Sequence, residues 1–332
     1  MKIAAVACFS NERAIAGAFR DQLETFFDKS YLVAHNSYDK TEKLFLDVEK
    51  YSVTKAIHVD FRQAEYALSE MKKAFAEGAD WVVFLDFDEF LPFIGRRELE
   101  DFLDRHREED VISWNWQNIL PETWGDADLF KKSFLTIYDI PSLSKTIISK
   151  SAFEKDPDLL ISHGAHNILS SRKLKHFHEV GHKLIHIPIH GLDHFKQKII
   201  IRKIHIDFAP FITSLLERYL IEGTFDDDQL RELALNYSST EISKAKAEKF
   251  VFDFPYVKSK YLFEKDSAID ALIDVIHTYI LEKEQFIISR MDREIYNDKL
   301  ISKAIMQTRS WKITRPLRAA NSYLQKIKSL KP

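Results

Sequence analysis

The chain has 332 residues, 45% of them hydrophobic, which is enough to bury a sizeable core and excludes a disordered polymer. A single cysteine, Cys8, excludes an internal disulfide, and with no charged-then-apolar leader the expected home is a reducing cytoplasm. No run reaches the roughly 18–20 uninterrupted apolar residues that span a bilayer.

In chain order, "KIAAVACF" is β-rich and ends at "SNE", Arg13 to Phe27 has helical spacing, and "YLVAH" and "KAIHVDF" are short strand-like runs. This alternation predicts a mostly parallel sheet covered by helices. Ala64, Ala67, Leu68, Met71, Ala74 and Phe75 recur at three and four residues, a helix face leading through Gly78 into "WVVFL", which reads as a central strand. "GRRELEDFLDRHRE" reads as a surface helix, Val111 to Tyr138 as strands and loops, and Ser144 to His205 as β-like and histidine-rich. Beyond Phe208 the spacing turns mainly helical, over Phe211 to Ile221, Asp228 to Leu235 and Asp266 to Ile288. The expected division is a catalytic domain over residues 1–207 (a nucleotide half to about 95, an acceptor half after it), a helical extension over 208–298, and a tail over 299–332.

The strand "DWVVFL" runs directly into three carboxylates, Asp86, Asp88 and Glu89. Ligands of α/β sheets bind outside the carboxyl ends of the strands, and side-chain alternation would put Asp86 and Asp88 on one side. Two like charges so close call for a cation; oxygen ligands suit Mg²⁺ or Mn²⁺, ions that keep coordination positions open for substrate phosphates. The plain alternative is a strand end that caps the next helix.

"DWVVFLDFDEFL" resembles the D-x-D-E-F segment of glycosyltransferases with the GT-A fold, in particular bacterial enzymes related to family 2 and similar to family 92. "SNE", with Asn11 and Glu12, is similar to that group's N-E after the first strand; "SYDKT", Ser37 to Thr41, matches its S-x-D-x-T; Gln63 stands where those enzymes often carry a helix-opening Gln. "IHIPIHGLDHFKQKI" resembles their H-x-P-x-R-S-x-x-Q-F-x-x-K, with His190 and Gly191 in place of Arg and Ser. The acid expected three positions before Ser37 is Ala34, so the usual carboxylate grip on the nucleotide is either missing or supplied by His35, Asn36 or Asp39. The resemblance implies a GT-A-like (Rossmann-like) sheet and metal-dependent transfer of a sugar from a nucleotide-sugar donor to a glycan or lipid-linked acceptor in bacterial surface polysaccharide synthesis, lipopolysaccharide or capsule, with inversion by analogy to family 2. Asp88 would be the direct Mn²⁺ or Mg²⁺ ligand and Asp86 would lie close to the ribose or the metal. A general base for the acceptor hydroxyl would come from Glu122, Asp126 or Asp128, which lie among Trp114, Trp116 and Trp124.

Nine of the thirteen histidines fall between His163 and His205. Spacing by four from His178 to His194 would suit zinc on a helix, but Gly181, Pro188 and Gly191 interrupt any helix and "KLIHIPIH" alternates like a strand. The expectation is that His186, by its match to H-x-P, or His166 completes the metal or phosphate site, with His176 and His178 on an exposed loop. Two other classes remain open: a metal-dependent phosphatase of the haloacid dehalogenase kind, and a non-catalytic membrane-associated assembly protein on the same fold.

The net charge of −3 is unevenly spread. From Lys299 to Pro332 there are nine Lys or Arg and no Asp or Glu, so a tail of +9 follows a body of −12. Pro316 can open a helix on which Leu317, Ala320, Leu324 and Ile327 form a stripe with basic flanks, the composition of an interfacial anchor. The expected partner is an anionic membrane surface, on the inner face of the plasma membrane, with no nucleic acid.

Overall fold

The computed structural model describes residues 1–37, 39–57, 62–122, 129–131, 134–137, 144–190, 194, 247–250 and 252–260. Asp126, Asp128 and Trp124, the helices expected after Phe208 and the basic tail lie outside these residues.

The first half follows the βα alternation. Strands β1 (Ile3–Phe9), β2 (Lys29–His35) and β3 (Tyr51–Ala56) are parallel, with helix α1 (Arg13–Phe26) between the first two; helix α2 (Gln63–Ala76) leads into β4 (Trp81–Asp86), which pairs parallel with β1. The strand order is therefore 3-2-1-4 across this half, with β4 internal as its apolar run requires. Both faces of the sheet are covered. Ile3, Ala5, Ala7 and Phe9 of β1 and Trp81, Val83 and Leu85 of β4 pack on the α1 side, where Phe19, Leu23 and Phe26 meet them. Ala4, Val6, Val82 and Phe84 point the other way, to Ala67, Met71, Ala74 and Phe75 of α2. This is period-2 side-chain alternation with a helix filling each face.

After β4 come the two-residue β5 (Glu89–Phe90), helix α3 (Arg96–Arg105), β6 (Val111–Pro121), β7 (Phe134–Ile137) and β8 (Ser144–Ser149). Strand β8 runs antiparallel to β4, and β6 antiparallel to β8, which restores the direction of β4. A short helix α4 (Lys150–Lys155), capped by the Ser149 hydroxyl, interrupts the stretch expected to be β-like throughout. A small hairpin of β9 (Leu160–Ile161) and β10 (Ile168–Leu169) follows, then β11 (His176–His186), parallel to β6 and also paired with β5. His176 and His178 are thus exposed strand residues rather than loop residues, because backbone pairing with Val111 and Ser113 of β6 holds them in register.

One stretch beyond residue 207 departs from the helical expectation. Residues 247–250 form β12 (Ala247–Phe250), antiparallel to β7. Just after it, Phe254 and Tyr256 are buried in the main core: Phe254 packs edge-on to Phe90 and Phe130, and Tyr256 edge-on to Phe26. Residues 247–250 and 252–260 accordingly pack with the strands and helices of the first half of the chain.

Candidate active site

The strands that run parallel to β4 deliver their polar residues to one edge. Asn11 and Asn36, just past β1 and β2, adopt left-handed backbone with φ of 55° and 46°, a region that Asn tolerates better than other side-chain-bearing residues and that recurs at functional sites. Asn11 Nδ2 reaches Ser10 Oγ and the Asn36 carbonyl at 3.2 and 3.3 Å, and its Oδ1 accepts from the Asp39 amide at 3.2 Å. Asp39 in turn accepts from the Arg13 amide (2.7 Å), the Thr41 amide (3.0 Å), the Thr41 hydroxyl (2.5 Å) and the Ser37 hydroxyl (3.2 Å). It satisfies an N–H of the first turn of α1 and ties that turn to the loop after β2. The S-x-D-x-T signal is therefore, first, the fastening of two loops.

Asp86 and Asp88 are engaged by different side chains. Strand β4 ends at Asp86, a turn follows, and Phe87 is driven into the core, stacked on Phe19 at 4.1 Å and close to Phe9 at 4.2 Å. Phe87 joins Val83 and Leu85 in the same core cluster, and the carboxylates on either side of it take different partners. Asp86 Oδ2 pairs with Lys145 Nζ at 2.7 Å, and its Oδ1 accepts from Gln63 Nε2 at 2.7 Å. Lys145 also lies 3.3 Å from Glu89 Oε1, and the other Glu89 oxygen accepts the Asp86 amide at 2.7 Å. Lys145 and Glu89 are both buried. Burial would lower the Lys145 ammonium, but the Asp86 and Glu89 carboxylates lift it above its ordinary value. Burial pushes Glu89 well above the usual carboxylate range; Lys145 opposes the shift, and the Asp86 and Asp88 charges add to it. Cys8 on the neighbouring strand is buried, and burial and Asp86 raise its thiol too far for a nucleophile.

Asp88 lies in the turn after β4. Its carbonyl accepts from the Ile187 amide at 2.8 Å, and its Oδ2 lies 3.6 Å from His186 Nε2. His186 Nδ1 is 2.6 Å from Asn118 Oδ1, an oxygen that can only accept, so Nδ1 donates to it and Nε2 is the ring nitrogen turned toward Asp88. Trp116 of β6 stacks on His186 at 4.1 Å and meets His166 edge-on at 5.2 Å. Trp114 is wholly buried and packed against Phe93 and Phe102, a core residue and no sugar platform.

His166 Nδ1 donates to the Ser144 carbonyl at 2.6 Å. Burial and then the Lys145 charge hold the ring below its ordinary pKa, so it is neutral near pH 7. It stands over Gly164, which has φ +66°, and a Cβ there would overlap His166 Nε2. The Gly164 amide donates to Gln63 Oε1 at 3.0 Å, linking this turn to Asp86 through one glutamine. Gly164→Ala is expected to cost about 1–2 kcal/mol from the left-handed backbone alone and to displace His166. Urea unfolding and the histidine NMR signals would read the two effects; unchanged stability would refute the packing described here.

Glu122, at the end of β6, is half-buried and is the one candidate base among the described residues. A second histidine group lies beyond β11: Glu12, His190 and His194 bring one potential ligand atom each within 4.8 Å of one another. The structure thus places Gln63, Asp86, Glu89, Lys145, Gly164 and His166 in one connected cluster and Asp88, His186, Asn118 and Trp116 in another beside it. Lys145, Asn118 and Glu89 were missed as site residues. The available signal for Lys145 was a charged residue inside the otherwise uncharged strand "SKTIIS".

A mostly parallel sheet flanked by helices, with its polar cluster beyond the carboxyl ends of the strands, defines a Rossmann-like α/β protein. No known protein family matches the sequence, and no curated protein does. Among solved structures, TarS of S. aureus is 14% identical, with a TM-score of 0.37 over 72% of this chain and 44% of that one, so this chain spans less than half the length of that neighbour. A Desulfovibrio desulfuricans G20 protein described as a nucleotide-diphospho-sugar transferase is 12% identical over 70% of this chain and 98% of that one, with a TM-score of 0.31. The 4-diphosphocytidyl-2C-methyl-D-erythritol synthase of Anaerococcus prevotii DSM 20548 is 12% identical over 54% of this chain and 88% of that one, with a TM-score of 0.30.

Proposed function

We propose that this protein is a glycosyltransferase that moves a sugar from a nucleotide-sugar donor to an acceptor hydroxyl with the help of Mn²⁺ or Mg²⁺. The observation that carries the reading is the Asp88–His186 pair at the carboxyl edge of the sheet. Two ligands of one cation lie about 3 Å apart when each bond is 2.0–2.2 Å, so the 3.6 Å between Asp88 Oδ2 and His186 Nε2 fits a shared ion after a small closure. The Nδ1–H bond to Asn118 fixes the ring for that use. A divalent ion there would neutralise the diphosphate as the glycosidic bond breaks.

The other residues have work of their own in this reading. Lys145 and Gln63 hold the Asp86 carboxylate, whose side chain is 26% exposed, and each carboxylate oxygen has a further lone pair, suited to ribose hydroxyls. Asn11, Glu12, Asn36 and Asp39 shape the wall that receives the nucleotide. Glu122 would take the acceptor proton, with Asp126 and Asp128 the alternatives on the adjoining segment. Inversion, a surface polysaccharide such as lipopolysaccharide or capsule as product, and a lipid-linked acceptor at the inner face of the plasma membrane belong to the same proposal.

A thermal-shift series with UDP, GDP, CMP and dTDP, with and without Mn²⁺, tests it. One nucleotide at a hundred times its dissociation constant adds about 2.7 kcal/mol, and its effect should require the metal. Silence toward every nucleotide would sink the donor reading, and metal-dependent release of phosphate from simple esters would favour a phosphatase. The tail is tested separately: the full chain should pellet with anionic vesicles at low salt, since each Lys or Arg near such a surface contributes about 1 kcal/mol, and high salt should release it. Pelleting that survives removal of residues 310–332 would show that the tail is no anchor.

A further inference from the structure

We propose that Glu12, His190 and His194 form a second metal site, selective for a borderline transition ion such as Zn²⁺ or Co²⁺ over Mg²⁺ and Ca²⁺, and separate from the Asp88–His186 pair. Glu12 follows β1 directly, and His190 and His194 follow β11. Because β11 runs parallel to β6, and β6 in the direction of β4, all three residues lie beyond the same edge of the sheet. His190 and His194 are 2% and 5% exposed, and His194 Nε2 lies 3.8 Å from Glu12 Oε2. One potential ligand atom from each falls within 4.8 Å of the others.

The donor set decides the kind of ion. Two imidazoles and one carboxylate are the ligands of open zinc sites, which keep a fourth position for water or substrate. Hard ions that prefer oxygen gain little from two nitrogens.

The present geometry states what loading requires. The two rings are stacked, with centroids 4.0 Å apart and planes at 8°, and His194 Nδ1 accepts the His190 amide at 3.2 Å. With Nδ1 accepting, neutral His194 carries its proton on Nε2, toward Glu12. Coordination through Nε2 moves that proton to Nδ1, breaks the bond to the His190 amide, and opens the stack so that the ligand atoms draw in to about 3 Å from one another. The ion is therefore taken up by closure of the three side chains, with release of the amide.

The experiment uses the full chain stripped with a chelator and titrated with Co²⁺ alone, whose visible absorption reports nitrogen and oxygen ligation, and with Zn²⁺ in competition. One equivalent should bind to the Asp88→Asn chain, Zn²⁺ should displace it and Mg²⁺ should not. His190→Ala should weaken binding by roughly a hundredfold, and Glu12→Gln, which keeps the shape of the side chain, should do so even if the histidine variant folds poorly. Asp88→Asn should leave this Co²⁺ signal intact, which separates the proposal from the donor-site reading. No Co²⁺ uptake by the unaltered chain, or uptake abolished by Asp88→Asn and retained in both Glu12→Gln and His190→Ala, would overturn it.

Discussion

Asp88→Asn is expected to lower sugar transfer by roughly 10²–10³-fold, the scale on which removal of one group that stabilises developing charge is felt, while leaving the fold intact. Asp88 sits in a turn whose backbone is fixed independently of its carboxylate, by the Ile187 amide on its carbonyl and by Phe87 in the core. Loss of one negative charge beside Asp86 and Glu89 relieves repulsion, so the melting temperature should hold or rise. Steady-state transfer and a thermal melt on the same preparation check both halves. A folded variant with full activity would remove Asp88 from the mechanism, and a variant with a large loss of stability would show that its carboxylate is structural.

Lys145→Met should have the largest effect on stability, about 3–5 kcal/mol, the usual cost of removing one partner from a buried ion pair and leaving the other uncompensated. Its ammonium is 1% exposed between Asp86, which is 26% exposed, and Glu89, which is wholly buried. Asp86 can turn to water; Glu89 cannot. The double variant Lys145→Met with Glu89→Gln should regain much of the loss, because the stranded charge is gone. The pH dependence has a definite sign. A buried carboxyl whose folded pKa is raised favours the folded state below its unfolded pKa and loses that contribution as pH climbs through the folded value. With Lys145 absent the Glu89 pKa rises further, so the gap between the variant and the unaltered chain should narrow as pH falls. Equal urea midpoints for the two proteins at neutral pH would show that the ammonium is not the cation of this cluster.

Much of the fold could be read from residue periodicity. The run "WVVFL" reads as a central strand because nothing in it tolerates water, and the two-residue alternation of Ala4, Ala5 and Val6 serves two helices at once. The site was legible in type and less so in geometry. Spacing alone suggests Asp86 and Asp88 as a pair, but it could not show that each takes its own partner, Lys145 for the first and His186 for the second. Lys145, which is 59 residues from Asp86, could not be matched to it from local pattern, since a long-range ion pair leaves no periodic trace. The strand at 247–250 was hidden for the same reason: four residues are too few to show a period, and their pairing with β7 is decided by tertiary contact.

The packing of residues 252–260 against α1 and β5 has a consequence for synthesis. Tyr256 donates to the Leu91 carbonyl at 2.8 Å, and the amides of Lys258 and Ser259 donate to Asp21 Oδ2 at 2.7 and 2.5 Å, at a spot where Gly17 of α1 lets Ser259 lie close. On a ribosome adding about 5–20 residues per second, this clasp emerges roughly 4–15 s after β11. For that interval the nascent sheet carries an open hydrophobic slot beside Phe26 and Phe90, where the rings of Phe254 and Tyr256 will later lodge. A chaperone that covers aromatic surface has its window there, and a ribosome halted between residues 207 and 250 should present a nascent chain far more sensitive to protease than one halted well beyond residue 260.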